Sequence, residues 1–235
     1  TGDYGRTYTG RTDTMMVAVV NPSTKKTTLV SIPRDTEVAI PSHGFENKIN
    51  SAYTYGGTSM AMNIVQSYLN VPIDHYIEMN MGGLVQLSSA LGPIKVKNDL
   101  DFTSRGYHFK KGTVTLNKNN ILAFTRMRYQ DSRGDYGRQL RQRNVLGALV
   151  KKIATVQGLT KYQSILSALS SNMKTDITFN EMKTIATKYR SADNVKQIQL
   201  QGYGKMIDGI SFQVVPQRNV DKVTKKLRTE LELNK

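Results

Sequence analysis

The chain has 235 residues, 38% of them hydrophobic and 8% aromatic, which is long enough for one domain with a substantial buried core. Its 33 lysines and arginines against 18 acids give a net charge of +15, favouring polyanionic partners: nucleic acid, an anionic membrane surface or an acidic wall polymer. The absence of cysteine excludes disulfides, thiolate zinc sites and cysteine nucleophiles, and the longest apolar run, Met15–Val20, falls far short of the ~20 residues that cross a bilayer.

Thr14–Val20 and Thr27–Ile32 are apolar, partly β-branched runs joined by N-P-S-T-K-K, a strong turn signal, and read as an antiparallel hairpin. Ser59–Leu69 and Gly82–Leu91 have helical patterns, with Ile73–Met79 as a strand between them. Ile94–Val96 reads as a short strand, Leu116–Phe124 as the start of another helix, and Gly137–Val156 as the longest helix. Lys161–Leu169 follows, and then Thr178 with Glu181 forms a capping box opening a helix to Tyr189. Val195–Gln201 and Ile210–Val215 are the last strands, and Gln217–Leu231 closes the chain as a helix. Strands and helices alternate with one clear hairpin, and there is no repeat or composition break. The expected fold is α/β, a mixed sheet with helices on both faces, in a single domain over residues 1–235.

The densest chemistry lies in Arg126–Arg143, R-M-R-Y-Q-D-S-R-G-D-Y-G-R-Q-L-R-Q-R, where a glycine-marked loop runs into a helix. Arginine grips phosphate through a planar, permanently charged fork, and a helix start adds free N–H groups and a positive dipole end. The stretch therefore reads as an anion site for phosphate or diphosphate. A solvated arginine face is the alternative, and helical spacing argues against it. Val145, Leu146, Leu149 and Ile153 define a core-facing stripe, and counting back along it reaches Gln142 and Arg138. Arg141 and Arg143 lie off that stripe and read as solvated. Arg126 and Arg128 can share a face only where the helix has ended.

Three other clusters border apolar strands. Asp3 and Asp13 bracket a Gly/Thr-rich loop, and two carboxylates at a sheet edge suit magnesium, a hard cation that shares phosphate oxygens; a turn and an Asx cap are their alternative roles. Arg34 and Asp35 in S-I-P-R-D follow a strand at its ligand-binding end, where the alternative is a surface ion pair. Lys48 opens K-I-N-S-A-Y, with Gly56-Gly57 beyond, which matches neither a P-loop nor a dinucleotide fingerprint. The histidines (43, 75 and 108) are scattered without metal spacing, and no G-x-S-x-G elbow is present.

In order and spacing, G-D, G-R-T-D-T-M-M, V-S-I-P-R-D, K-I-N-S-A-Y with G-G, and R-M-R-Y-Q-D-S-R-G-D-Y-G-R-Q-x-R-Q resemble the LytR-CpsA-Psr family, over roughly Thr1 to Ile153. That resemblance implies an envelope phosphotransferase of mainly Gram-positive bacteria, held on the outer face of the cell membrane by an N-terminal helix. This chain opens at Thr1 without a methionine, so a missing anchor does not count against that location. The implied reaction moves a glycopolymer (teichoic acid, capsule or a related polysaccharide) from undecaprenyl diphosphate to peptidoglycan through a phosphodiester, with an apolar pocket for the polyprenyl chain. Position by position, Asp3 and Asp13 fall on the family's magnesium ligands. Arg34, Arg126, Arg128, Arg138 and Gln142 fall on diphosphate-gripping positions, Asp135 on an acidic position suited to orienting arginines, and Lys48 on the K-I-N lysine. Asp13, Arg34 and Arg138 are the expected catalytic residues, with Asp13 the first candidate for the proton acceptor. Partners implied are the lipid-linked polymer, peptidoglycan and the membrane surface. The competing readings are a nucleic-acid-binding regulator, which the charge permits but no recognition motif supports, and a binding module that holds a prenyl diphosphate without turnover.

Overall fold

A computed structural model describes residues 10–40, 45–153, 165, 169, 171–188 and 194–233. The first hairpin forms as its turn chemistry predicts. Strands β1 (Met15–Asn21) and β2 (Lys26–Ile32) pair antiparallel with Met15 opposite Ile32. Asn21 Oδ1 accepts the Thr24 N–H at 2.9 Å, closing an Asx-type turn that Lys25 completes at φ 54°. Strand β11 (Asn194–Gln199) then lies parallel to β2, with Gln199 opposite Ser31, making a mixed three-stranded sheet in the order β1-β2-β11.

Short antiparallel ribbons surround that sheet. They are β3 (Glu37–Ile40) with β4 (Phe45–Lys48), β6 (Ile94–Asn98) with β9 (Gly112–Leu116), β7 (Phe102–Ser104) with β8 (Tyr107–Phe109), and β12 (Tyr203–Ile207) with β13 (Ile210–Val214). Strand β5 (Ile77–Met79) pairs with β10 (Met173–Thr175).

Helices cover both faces. On one side α1 (Ser51–Leu69) and α6 (Gln217–Glu230) pack against Val17, Val19, Val30 and Ile32. On the other, α4 (Asp135–Ile153) crosses β2 and β11, where Gly147 brings it against Leu29 and Val195. Helices α2 (Met81–Leu91) and α3 (Ile121–Arg126) join α4 and the β6–β9 ribbon in a second apolar cluster around Phe102, Phe109 and Phe124. The α/β class and mixed sheet match the expectation.

Several local expectations needed correction. The first helix starts at Ser51, eight residues before Ser59, because its first turns continue past a break at Gly56-Gly57, where Gly57 takes φ 63°, a conformation that favours glycine. Leu116 ends a strand, and the helix starts only at Ile121, since Asn117 and Asn120 hydrogen-bond each other's backbone region in an intervening turn. Only the last three residues of Ile73–Met79 are strand. Asp3 and, apart from Ile165 and Leu169, the Lys161–Leu169 segment lie outside the described residues. The capping box is present: Thr178 Oγ1 accepts the Glu181 N–H at 3.3 Å and Glu181 Oε2 accepts the Thr178 N–H at 2.7 Å, opening α5 (Phe179–Lys188).

Candidate active site

Proline at position 33 cannot donate to a ladder, so β2 stops and the chain turns, with the Thr36 N–H donating to Pro33 O at 3.0 Å. That turn presents Arg34 and Asp35 at the end of β2. Neighbouring segments hold its backbone: Asn50 N–H donates to Arg34 O, Ile49 N–H to Thr36 O, and Gln213 N–H to Asp35 O at 2.8 Å. The I-P-R-D and K-I-N segments, distant from Gln213 in sequence, are thereby laced together. Arg34 Nη1 donates to Asp13 Oδ1 at 2.7 Å. Asp35 lies between two cations, 3.7 Å from Arg34 Nε and 3.2 Å from Lys48 Nζ.

The second half of the site comes from the α3–α4 connection. Helix α3 ends at Arg126, and Met127 is extended (φ −58°, ψ 134°), so the condition for Arg126 and Arg128 to act together is met. Arg126 is half-buried at the last helical residue; Arg128 is exposed, its guanidinium 6.0 Å from the Tyr129 ring. Arg138 projects from the first turns of α4 with its side chain only 12% exposed, and Nη2 lies 2.5 Å from Asp135 Oδ1. That ion pair lacks hydrogen-bond alignment, and Arg138 Nε and Nη2 have no acceptor among the described residues. Burial pushes the Arg138 guanidinium down from its usual range; Asp135 opposes this, while the nearby charges of Arg34 and Arg128 add to it. Arginine remains a cation throughout. Asp135 Oδ2 accepts from Gln139 Nε2 at 2.8 Å, and Gln142 Oε1 accepts from Thr14 Oγ1 at 2.9 Å, tying α4 to the residue after Asp13.

Most of the predicted residues therefore converge: Asp13, Arg34, Lys48, Arg128, Asp135, Arg138 and Gln142 come from four separate segments to one end of the sheet. Unsatisfied buried polar atoms collect there as well. Besides those of Arg138, Arg34 Nε, Asn50 Oδ1 and Thr12 Oγ1 lack hydrogen-bond partners among the described residues, which suits a site whose ligand supplies them.

Arg141 and Arg143, expected in solvent, are 1% and 3% exposed. An apolar stripe marks one covered face of a helix, whereas on α4 no residue up to Val150 is exposed. Arg141 donates to Asp131 Oδ2 and to Met127 O, both at 2.6 Å, and so pins the arginine loop to α4. Arg133 clamps the same Asp131 from the loop side and reaches Asp99 with Nη1 at 2.5 Å. Gly137 is required here because a Cβ would collide with the Asp131 carboxylate. Sequence reasoning also missed Thr14 and Asp131; the D-x-x-x-x-x-G spacing of Asp131 and Gly137 was the available signal, but only contact gives it meaning.

A magnesium ion held at Asp13 would have to draw most of its oxygens from phosphate and water. Asp13 offers a 40% exposed carboxylate with Oδ1 engaged by Arg34, and the described residues hold no cluster of three or more potential metal ligands.

The family model for the LytR_cpsA_psr family matches residues 1–229. The chain is 50% identical over 232 residues to a polyisoprenyl-teichoic acid–peptidoglycan teichoic acid transferase, TagU, of Enterococcus faecalis, covering 98% of this chain and 77% of that protein. The fold is similar to the crystal structure of B. subtilis TagU, with a TM-score of 0.77 at 36% identity over 93% of this chain and 91% of that one. It is likewise similar to TagT bound to LIIa-WTA, with a TM-score of 0.81 at 27% identity over 94% of this chain and 86% of that one. A family match along nearly the whole length, on a fold shared with solved relatives, shows that the chain belongs to the LytR-CpsA-Psr family.

Proposed function

We propose that the protein transfers a glycopolymer from a polyprenyl diphosphate carrier to peptidoglycan at the outer face of the cell membrane. The relatives' names support donor and acceptor, since TagU-type proteins are polyisoprenyl-teichoic acid–peptidoglycan transferases. The observation that carries the reading is Arg138, whose largely buried guanidinium has Nε and Nη2 donors without an acceptor among the described residues, with Arg34 and Arg128 close by. Asp135 and Asp13 offset part of that charge, and an anion with several oxygens would engage the remaining donors.

A diphosphate concentrates its charge on the oxygens around two phosphorus atoms. Arg34, Arg128 and Arg138 would hold those oxygens, and Lys48 with Asp35 would keep Arg34 in place. A hydroxyl of peptidoglycan attacks the sugar-linked phosphorus, forming the new phosphodiester. The bond from that phosphorus to the bridging oxygen breaks, and polyprenyl phosphate leaves with both bonding electrons. The hydroxyl proton passes to a carboxylate beside the cluster, for which Asp13 is the proposed acceptor. Magnesium, when held by Asp13 and, as the family resemblance implies, Asp3, supplies positive charge to the phosphate oxygens. The apolar layer of β1 and β2 behind Arg34 is the proposed course of the polyprenyl chain.

The test is incubation with a geranyl-diphosphate-linked disaccharide and a peptidoglycan acceptor, with magnesium or chelator, followed by mass spectrometry. The expected outcome is a phosphodiester product in the parent and its loss by about 100-fold or more in Arg138→Ala, with an unchanged circular dichroism spectrum. Parent-like turnover in Arg138→Ala would overturn the assignment.

A further inference from the structure

The β6–β9 ribbon carries a row of lysines on its outer face. Ile94, Val96 and Leu116 point into the second apolar cluster, and the alternating residues Lys95, Lys97, Thr113 and Thr115 are exposed. The register sets Lys95 opposite Thr115 and Lys97 opposite Thr113, so no carboxylate faces either lysine across the strands. Two residues apart on one strand face, the lysines stand about 7 Å apart. Lys110 and Lys111, both exposed, precede Gly112 and stand at the Lys97 end; Lys118, exposed, follows Leu116 at the other. None of these five lysines has an ion-pair partner among the described residues. The two acids between residues 94 and 118 are already engaged: Asp99 by Arg133, and Asp101 by His108 Nε2 at 2.8 Å.

The row also has a direction. At the Lys97 end, Asp99 takes both Nη atoms of Arg133, at 2.5 and 3.1 Å, and Arg133 belongs to the loop between Arg128 and Asp135. Asn144 Nδ2 donates to Lys97 O at 2.9 Å, fixing the ribbon to α4. The lysines therefore begin at the rim of the arginine cluster and lead away from it along a rigid, two-stranded support.

We infer that this ribbon is a track for the polyanionic part of the donor, a chain of repeating phosphodiesters that leaves the diphosphate site past Arg133 and lies over Lys97 and Lys95. The inference rests on the proposed function, because it takes the donor's polymer to be a teichoic acid-like polyphosphate. The division of side chains fits that role. Arginines with fixed forks surround the diphosphate, where geometry decides reaction, whereas flexible lysine ammonium groups serve a long, repetitive anion that must shift register. Binding of this kind draws its affinity from released counterions and weakens steeply with salt.

The test compares the parent with a quadruple variant, Lys95→Gln, Lys97→Gln, Lys110→Gln and Lys111→Gln. Binding of poly(glycerol phosphate) is measured by calorimetry at two salt concentrations. Turnover of the geranyl-diphosphate-linked disaccharide, which has no polymer, is measured alongside. A control variant loses the same charge elsewhere, through Lys183→Gln, Lys188→Gln, Lys222→Gln and Lys225→Gln. The expected result is polymer binding weakened about 10-fold or more in the ribbon variant, with a shallower salt dependence. Disaccharide turnover stays at the parent level, and the control variant still binds the polymer. Unchanged polymer binding in the ribbon variant, an equal loss in the control, or loss of disaccharide turnover would each overturn the track. A parent that binds polymer through these lysines but turns over no disaccharide would leave the track standing and reject the transferase reading instead.

Discussion

Arg141 and Arg143 sit two residues apart on α4 and are almost equally buried, yet their surroundings differ sharply. Arg141 meets Asp131, with which it forms a 2.6 Å ion pair. Arg143 has one hydrogen bond, from Nη2 to Gln199 Oε1 at 3.3 Å, and its Nε and Nη1 have no acceptor among the described residues. Burial pushes its pKa down to about 10, which still leaves a cation at neutral pH. An unpaired buried charge opposes folding, so Arg143→Met should stabilise the protein by roughly 1 kcal/mol or more, read as a higher Tm. A lower Tm would mean that an anion or enclosed water satisfies Arg143 in solution. Asp131 is the opposite case. Burial would raise its carboxyl, but hydrogen bonds from Arg133 and Arg141 outweigh burial and hold it well below the usual carboxylate range.

At the scale of elements, the helices differ in what holds them. Helix α4 is enclosed by β2, β6, β11, α2 and α3, and tertiary packing stabilises it despite six charged residues from Asp135 to Lys152. Helix α5 has Met182 as a buried anchor and several exposed positions, so its start depends on the Thr178–Glu181 box. Thr178→Ala should cost about 1 kcal/mol, lowering Tm by roughly 2–4 °C without changing transfer activity. An unchanged Tm would show that packing alone suffices there. The β12–β13 ribbon, only half foreseen, is tied down at its base: Tyr136 Oη donates to Gln213 Oε1 at 2.8 Å and accepts the Gly202 N–H at 2.8 Å. Strand β12 escaped notice because YGKMI contains no apolar alternation, and four of its five residues, all but Ile207, are exposed.

For the molecule as a whole, acid sensitivity follows from the loop clamp. Asp131 and Asp99 both have folded pKa values below their unfolded ones; for Asp99 the hydrogen bond from Arg133 is the main cause. Their stabilisation is fully present above the unfolded pKa of about 3.9 and is lost as pH falls through the folded values. Tm should therefore stay level from neutral pH to about 5 and fall below about 4. Asp131→Asn should lower stability by about 3–5 kcal/mol at neutral pH, since it strands Arg141, and should flatten the acid decline. An acid profile that is the same in both proteins would show that other groups control it.

Local signals determined a good deal of this protein. The N-P-S-T-K-K turn, the capping box, the alternation of apolar residues in β1 and β2, and the inward direction of Arg138 depend on neighbours within a few positions, so the chain alone displays them. The ordered motifs likewise marked Asp13, Arg34, Lys48, Arg128, Asp135, Arg138 and Gln142 before any fold was known. Other features depended on packing between distant segments. Helical periodicity reveals one face of α4 but not that its other faces are covered too, so Arg141 and Arg143 read as solvated. The pairing of Arg34 with Asp13, of Gln142 with Thr14 and of Arg141 with Asp131 spans 21, 128 and 10 residues respectively. The lysine row on the β6–β9 ribbon likewise needed a strand register to become a row. Charge pairing falls off within a few ångströms, so which opposite charges meet is decided by the tertiary fold that brings them together.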